Sequence, residues 1–334
     1  MSVARYPLRS DVVKMNDRLH GTNILMLLDN PCDPDPRVER EASALAAAGA
    51  NVRIVAWDRD TGNTETIDKQ AFQIHRLPPS STRKLGWKQF LYISKFCRNA
   101  WLYIRKDNIS ADIVYAHDVL MLPLAIFLAK KLKAKLVYDA HEIYFWMEAV
   151  RLPWMWRIAV KTIEAFCIAR FVDLFVTVSQ QRATDYWATV TKKKPVIVGN
   201  WYDPEDRDKA EARLKLGLED GAKRVVAYVG GFSSNRRLGL LLELAVAAPE
   251  IHILIAGRGD ENITRQIEAA SRTSPNITYL GWQSDPKSIL AAADCIYYMF
   301  DVGHPYCQFL APNNLYQAIA LNRYLISAGE GGRC

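Results

Sequence analysis

The chain has 334 residues, half of them hydrophobic, and its 43 basic and 36 acidic side chains leave a net charge of +7. That length can bury two cores of ordinary size. It excludes a small disulfide-stapled domain, because Cys32, Cys97, Cys167, Cys295, Cys307 and Cys334 are widely spaced and form no C-x-x-C pair.

Reduced thiols point to a cytoplasmic protein. The first twenty residues carry Arg5, Arg9, Lys14 and Arg18 without the apolar stretch of a secretory signal. The longest apolar run, Val119 to Ala129, is broken by Pro123 and falls short of the roughly 20 residues that cross a bilayer. The basic excess sits in short runs such as Lys130-Lys-Leu-Lys-Ala-Lys135 and Lys192-Lys-Lys194, which suit anionic partners or simply solvate a helix end.

Residues 1–21 read as a flexible leader. From Thr22 the pattern alternates, with Ile24 to Leu28 as a continuous apolar strand, Arg37 to Ala48 as an amphipathic helix and Val52 to Ala56 as the next strand. Such strands between helices predict a parallel sheet covered on both faces. Strands follow at Phe72–Leu77, Asp112–Tyr115, Lys135–Tyr138, Leu174–Val178 and Pro195–Val198, with helices from about Trp87 to Arg105, after Met121, and across Trp154 to Arg170. One doubly wound domain, 22–199, accounts for all of them.

Residues 200–222 turn polar and read as a linker. A second series then begins, with strands at Val225–Val229, Ile251–Ile255, Ile277–Leu280, Cys295–Met299 and Tyr324–Ser327. The fold class expected is α/β, with two Rossmann-like doubly wound parallel-sheet domains facing a cleft. The second domain, 223–334, reads as cut short, since it ends just after a strand and a Gly-rich turn.

In an open parallel sheet, ligands bind beyond the carboxyl ends of the strands. The polar residues there include Asn30, His117, Asp118, His141 and Glu142 in the first half, and Gly230 to Arg237, Gly257-Arg-Gly259 and the loop from Asp301 to Asn314 in the second. Glycines at 230 and 231 let the backbone approach a ligand, a helix is expected to begin near Arg236, and Arg236 and Arg237 add cations that suit a diphosphate. A plain glycine turn with surface arginines is the alternative. Ala311-Pro-Asn-Asn-Leu-Tyr-Gln-Ala-Ile-Ala320 reads as a helix start, with Pro312 at the first helical position and free amides behind it.

His141 is either a base at a strand end or a packed histidine, and His117 shares that ambiguity. His20, His75, His252 and His304 show no metal-ligand spacing, so no metal is expected. The first strand is followed by Asp29-Asn-Pro-Cys-Asp-Pro34 rather than G-x-G-x-x-G, which disfavours a nicotinamide or flavin enzyme. Aromatics interleaved with cations, at Trp87, Phe90, Phe96, Trp101 and Tyr103 and at Phe145-Trp-Met147 and Trp154-Met-Trp156, suit either an anionic membrane surface or an ordinary core.

Taken in order, Asp35-Pro-Arg-Val-Glu-Arg-Glu-Ala42, Asp112-Ile-Val-Tyr-Ala-His117, Tyr138-Asp-Ala-His-Glu142, Val172 to Ser179, Tyr228-Val-Gly-Gly231 and Pro312 to Ala320 resemble family 4 of the retaining, nucleotide-sugar-dependent glycosyltransferases. The resemblance runs from about Thr22 to Gly332. It implies a GT-B architecture, a nucleotide diphosphate sugar as co-substrate, no cofactor and no nucleotide-binding metal. It also implies that the acceptor is held by the first domain. The function expected is a cytoplasmic glycosyltransferase acting on a lipid-linked or polysaccharide acceptor, either free in the cytoplasm or peripheral on the inner face of the membrane.

By that resemblance Arg236 stands at the phosphate-binding lysine and His141 at the histidine near the donor sugar; these are the expected catalytic residues. The expected donor set is Gly230, Gly231, Gly257, Arg258, Gly259, Pro312, Asn313, Asn314, Leu315 and Gln317, and the acceptor set is Asn30, His117, Asp118 and Glu142. The chain departs from the family at Gly231, where an arginine is usual, and at Gln317, where a glutamate grips the ribose. Asn314, Asn322 and Tyr324 replace the usual lysine, glycine and proline, and Phe309 falls near a missing glutamate. These departures leave open a second reading, a non-catalytic relative that binds a nucleotide, a glycan or a partner protein.

Overall fold

A computed structural model describes residues 18–80, 89–146, 153–204, 207–218, 224–283, 285–301, 303 and 307–327, and the side chains of all of these except 89 and 90. The expected leader up to residue 17, Trp87, Lys88, the Phe90 side chain, Met147, His304 and the Gly-rich end after Ser327 lie outside the described residues. The chain divides into two units, Met1–Val198 and Gly199–Cys334.

In the first unit eight strands form one sheet: β1 (Asn23–Leu28), β2 (Asn51–Trp57), β3 (Glu65–Asp68), β4 (Phe72–Leu77), β5 (Ile113–His117), β6 (Lys135–Ala140), β7 (Leu174–Thr177) and β8 (Val196–Ile197). Their order is β3-β4-β2-β1-β5-β6-β7-β8, and every pairing is parallel except that of β3 with β4. Ile24 to Leu28 are all buried, which explains the unbroken apolar run of β1. The strand order reverses at β1, and the ends of β1, β5 and β6 meet there, at the point where open sheets bind ligands.

Helix α1 (Pro36–Ala47) starts where the Asp35 carboxylate accepts the Val38 amide, with Pro36 in its first turn. Its inward stripe buries Arg37 beside Val38 and Ala42. Three further helices, α2 (Gln89–Lys106), α3 (Leu122–Leu132) and α4 (Trp154–Phe171), connect β4 to β5, β5 to β6 and β6 to β7. Among the described residues no helix is long and apolar enough to cross a membrane.

The second unit holds β9 (Arg224–Phe232), β10 (Ile251–Gly259), β11 (Ile277–Tyr279), β12 (Cys295–Tyr298) and β13 (Tyr324–Ser327), all parallel in the order β11-β10-β9-β12-β13. Its helices are α5 (Lys209–Lys215), α6 (Leu238–Ala247), α7 (Glu261–Thr273), α8 (Pro286–Ala292) and α9 (Asn313–Ala320).

Four expectations are corrected here. The segment read as a linker contains α5, capped by Asp208 and tied to the second unit through Arg213 to Asp294 at 2.6 Å, with Ala212 in the same cluster as Ile289 and Leu290. The glycines expected in loops instead lie within strands, Gly230 paired with Gly257 and Gly231 with Arg258. A Cβ on Gly257 would lie 1.9 Å from the Gly230 carbonyl, and one on Gly259 would lie 2.2 Å from that of Phe232. Those two glycines therefore serve strand-to-strand approach rather than ligand approach.

The helix expected near Arg236 begins only at Leu238, after a single 3-10 turn over Ser234–Arg236. Pro312 does not occupy the first helical position; it caps α9 with extended backbone, and the Asn200 side-chain amide donates to the Ala311 carbonyl before it at 2.8 Å. Strand β3 has no counterpart in the sequence reading, since its Glu-Thr-Ile-Asp at the sheet edge lacks an apolar run.

Candidate functional site

In the second unit, the carboxyl end of β9 passes through Gly230 and Gly231 into the 3-10 turn that carries Arg236. Two buried tyrosine hydroxyls hold the backbone of this turn. Tyr228 Oη donates to the Gly231 carbonyl at 2.6 Å and Tyr297 Oη to the Arg237 carbonyl at 2.7 Å. Burial pushes both phenols up to about 12, so both remain donors. The Asp301 amide closes the arrangement by donating to the Asn235 carbonyl at 2.9 Å.

Within that frame the two arginines part company. Arg237 takes a left-handed backbone, φ 46°, and its exposed side chain pairs with Asp301 at 3.0 Å. Arg236 lies between two rings, its guanidinium carbon 5.1 Å from the centre of Tyr298 and 5.2 Å from that of Phe300. Its Nη1 is buried without a hydrogen-bond partner. A planar cation held by aromatic faces, with one donor nitrogen still free, is suited to an anionic oxygen.

Helix α9 begins at the same end of β9, where Asn314 Nδ2 donates to the Val229 carbonyl at 3.1 Å. Asn313 Oδ1 is buried there without a partner, and Pro312 and Leu315 are half-buried beside it. Gln317 faces inward, 7% exposed, and its amide nitrogen lies 3.4 Å from the Tyr202 hydroxyl. Arg258 is exposed, and its guanidinium rests 5.5 Å over the Trp282 ring. Of the expected donor set, then, Gly230, Gly231 and the first turn of α9 gather at one strand end, with the expected catalytic Arg236 beside them. Gly257 and Gly259 are spent on packing.

The matching edge of the first unit is filled by charge. Asp139, fully buried at the end of β6, accepts from Arg37 Nη2 at 2.8 Å and from His141 Nε2 at 2.9 Å. Arg37 also lies 3.1 Å from Glu41, one helical turn on, and donates to the Val198 carbonyl at 2.7 Å. Burial would raise the Asp139 pKa, but the His141 and Arg37 cations outweigh it and hold the group well below the carboxylate range. For His141 burial would lower the pKa, yet Asp139 and Asp118 prevail and lift it to about 10, so the ring is an imidazolium at neutral pH.

His117 is the neutral member. It is wholly buried, and burial together with the nearby His141 charge pushes its pKa far down. Its Nδ1 lies 3.0 Å from His141 Nε2, which assigns the proton of the neutral ring to Nε2, a buried atom without a partner. Direct contact with an acceptor, as the sequence led us to expect for His117, is thus corrected: the ring is 0% exposed and supports His141 from behind. Glu142 does not orient His141; its amide donates to Asp118 and its side chain is 3.8 Å from Arg182. Asn30 likewise builds its own loop, accepting the Cys32 amide and donating to Asp35.

Glu41, His117, Asp139 and His141 bring possible ligand atoms within 4.8 Å of one another. The Arg37 guanidinium already occupies the cation position among them, bonded to Asp139 through two nitrogens and paired with Glu41. The cluster is therefore charge-compensated by the protein itself. Sequence reasoning missed Arg37, Glu41 and Arg182, although one signal was present: Arg37 and Glu41 recur at i and i+4 on the apolar side of an amphipathic helix, where a charge needs a buried partner.

A family profile described as a glycosyl transferase 4-like domain matches residues 34–201. No curated protein matches the chain. Among solved structures the chain resembles sucrose-phosphate synthase from Thermosynechococcus elongatus, with a TM-score of 0.67, 18% identity, and 93% of this chain and 82% of that one covered. It also resembles HepE from Anabaena in complex with UDP and glucose, with a TM-score of 0.60, 16% identity and coverage of 93% and 82%. The glycosyltransferase WaaG, involved in lipopolysaccharide biosynthesis, aligns with a TM-score of 0.60, 16% identity and coverage of 91% and 80%.

Proposed function

Because the chain belongs to the glycosyltransferase 4-like family, whose members use nucleotide sugars, we propose that it transfers a hexose, with retention, from a nucleotide diphosphate sugar to a lipid-linked or polysaccharide acceptor. Its two parallel α/β sheets, of eight and five strands, are those of GT-B glycosyltransferases. The observation that carries the proposal is Arg236, clamped by Tyr298 and Phe300 with a buried, unpartnered Nη1 at the carboxyl end of β9.

In this reading the donor diphosphate lies over Gly230 and Gly231 and against the first turn of α9, and Arg236 holds its leaving oxygens. Charge grows on those oxygens as the glycosyl bond opens, so a cation fixed beforehand lowers the barrier without reorganising at the moment of reaction. The acceptor hydroxyl approaches on the face the diphosphate leaves, and its proton passes to the departing phosphate. WaaG's part in lipopolysaccharide biosynthesis and HepE's complex with UDP and glucose are consistent with a cytoplasmic synthesis of surface glycan.

The test is titration of the purified chain with uridine, guanosine and adenosine diphosphate sugars. At least one is expected to bind saturably, and Arg236→Ala is expected to weaken it about tenfold to a hundredfold, the worth of one charge-assisted hydrogen bond. Flat titrations with all three would overturn the proposal. A second reading, binding without transfer, is favoured by Gln317, which is buried against Tyr202 where the family's ribose-gripping glutamate is usual. Sugar transferred to any acceptor would eliminate that reading.

A further inference from the structure

The helices α2, α3 and α4 link successive strands that step in one direction across the first sheet, so right-handed crossovers place all three on one face. Side chains join them into a layer: Trp101 of α2 meets Phe127 of α3 edge to face at 5.1 Å, and Lys130 of α3 sits 4.3 Å over Phe171 of α4. The outer side of this layer has an unusual charge pattern. The exposed stripe of α2 carries Lys95, Arg98, Arg105 and Lys106, and α3 ends in exposed Lys130 and Lys131. The three helices hold a single carboxylate, Glu164, which is 2% exposed and bonded inward to the Tyr138 hydroxyl. Among the described residues, none of those six cations has an ion-pair partner; four of them instead rest against aromatic rings.

The apolar pattern is as one-sided. Helix α4 turns Trp154, Met155, Trp156, Ile163 and Phe166 outward, each between 58% and 68% exposed, while it buries Glu164 and Ile168. An ordinary surface helix does the reverse. Because a crossover helix begins at the sheet edge where its preceding strand ends, the Trp154–Trp156 turn stands at the same edge as His141.

We infer that the α2–α3–α4 face docks on a bilayer rich in anionic lipid. Indole and thioether side chains enter the headgroup boundary, where large amphipathic rings are at home, and the lysines and arginines above them meet lipid phosphates. Charge complementarity selects this occupant: α2 and α3 offer a lipid surface six exposed cations, and the single carboxylate within the three helices is buried. Of the aromatics expected for such a role, Trp154 and Trp156 are exposed, whereas Phe96 is fully buried and Tyr103 stacks on His75 at 3.7 Å. This binding stands apart from sugar transfer and needs no donor.

The experiment is flotation of the full chain with vesicles of pure phosphatidylcholine or of equimolar phosphatidylcholine and phosphatidylglycerol, at low and high salt. The chain is expected to float with the anionic vesicles at low salt and to be released by salt. Two double variants at exposed positions, Trp156→Ser with Phe166→Ser and Arg98→Glu with Lys106→Glu, should each weaken partition by about tenfold or more, with unchanged circular dichroism. Equal flotation on both vesicle types, or undiminished flotation of both variants, overturns the inference. So does a self-association that the same variants abolish in the absence of any flotation, which would assign the face to a second copy of the chain.

Discussion

The two sheet edges treat charge in opposite ways. At the first, Asp139 is matched on the spot by Arg37 and His141, and His117 stays neutral behind them. At the second, Arg236 is braced by rings and left with a free nitrogen. A buried charge that is already paired contributes to rigidity and resists change, whereas a fixed charge without a partner is one the protein holds in readiness for something else. The contrast separates charges that the fold has already satisfied from one that it has not.

The sharpest way to break the comparison is to remove the first edge's anion. Asp139→Asn leaves the Arg37 and His141 cations buried without their counter-charge, and should cost about 3–5 kcal/mol in urea unfolding. A loss below about 1 kcal/mol would show that the edge is not organised around that carboxylate. Arg236→Ala, by contrast, should leave the unfolding midpoint nearly unchanged while weakening the donor. Arg236→Lys sharpens the point, because an ammonium cannot lie flat between Tyr298 and Phe300; donor affinity should recover only in part and remain about threefold to tenfold weaker than in the unaltered chain.

The pH dependence of stability follows from His141. Its folded pKa, about 10, is raised above its ordinary value of 6.5, so the stability it contributes is fully present below 6.5 and is lost as the pH rises through about 10. Asp139, held low, acts oppositely: its contribution is present above 3.8 and is lost as the pH falls below that value. Urea midpoints should therefore drop on the alkaline side, and the drop should shrink in His141→Gln, in which the titrating ring is gone. An identical alkaline slope in both proteins would remove His141 from the account.

Much of this architecture could be read from the chain because continuous apolar strands and stripe-patterned helices announce themselves locally. What could not be read has a common physical form. Arg37 and Asp139 are 102 residues apart, and only the fold makes them partners. Strand β3 is polar and at an edge, so no burial pattern marks it. Arg236 and Arg237 look alike in sequence, yet a left-handed residue between a 3-10 turn and a helix sends one to Asp301 and the other between two rings. The cationic, aromatic helices were visible as composition, but which rings face outward depends on the register of each helix on the sheet.

The smallest effect belongs to Gly231, which, set against Gly257, tests whether the second edge is open. Gly257 has φ +143°, and a Cβ there would lie 1.9 Å from the Gly230 carbonyl, so Gly257→Ala must part β9 from β10 and should destabilise the chain. At Gly231 the nearest atom to a new Cβ is the Arg258 carbonyl, 4.0 Å away, and the backbone is not left-handed. Gly231→Ala should then change stability by no more than about 0.5 kcal/mol. The same free space admits Gly231→Arg, which restores the family's cation beside Arg236 and should tighten nucleotide diphosphate sugar binding by a few fold. If Gly231→Ala instead unfolds the chain, the space above the strand end is not free, and the opposition between a filled edge and an open one fails at its second term.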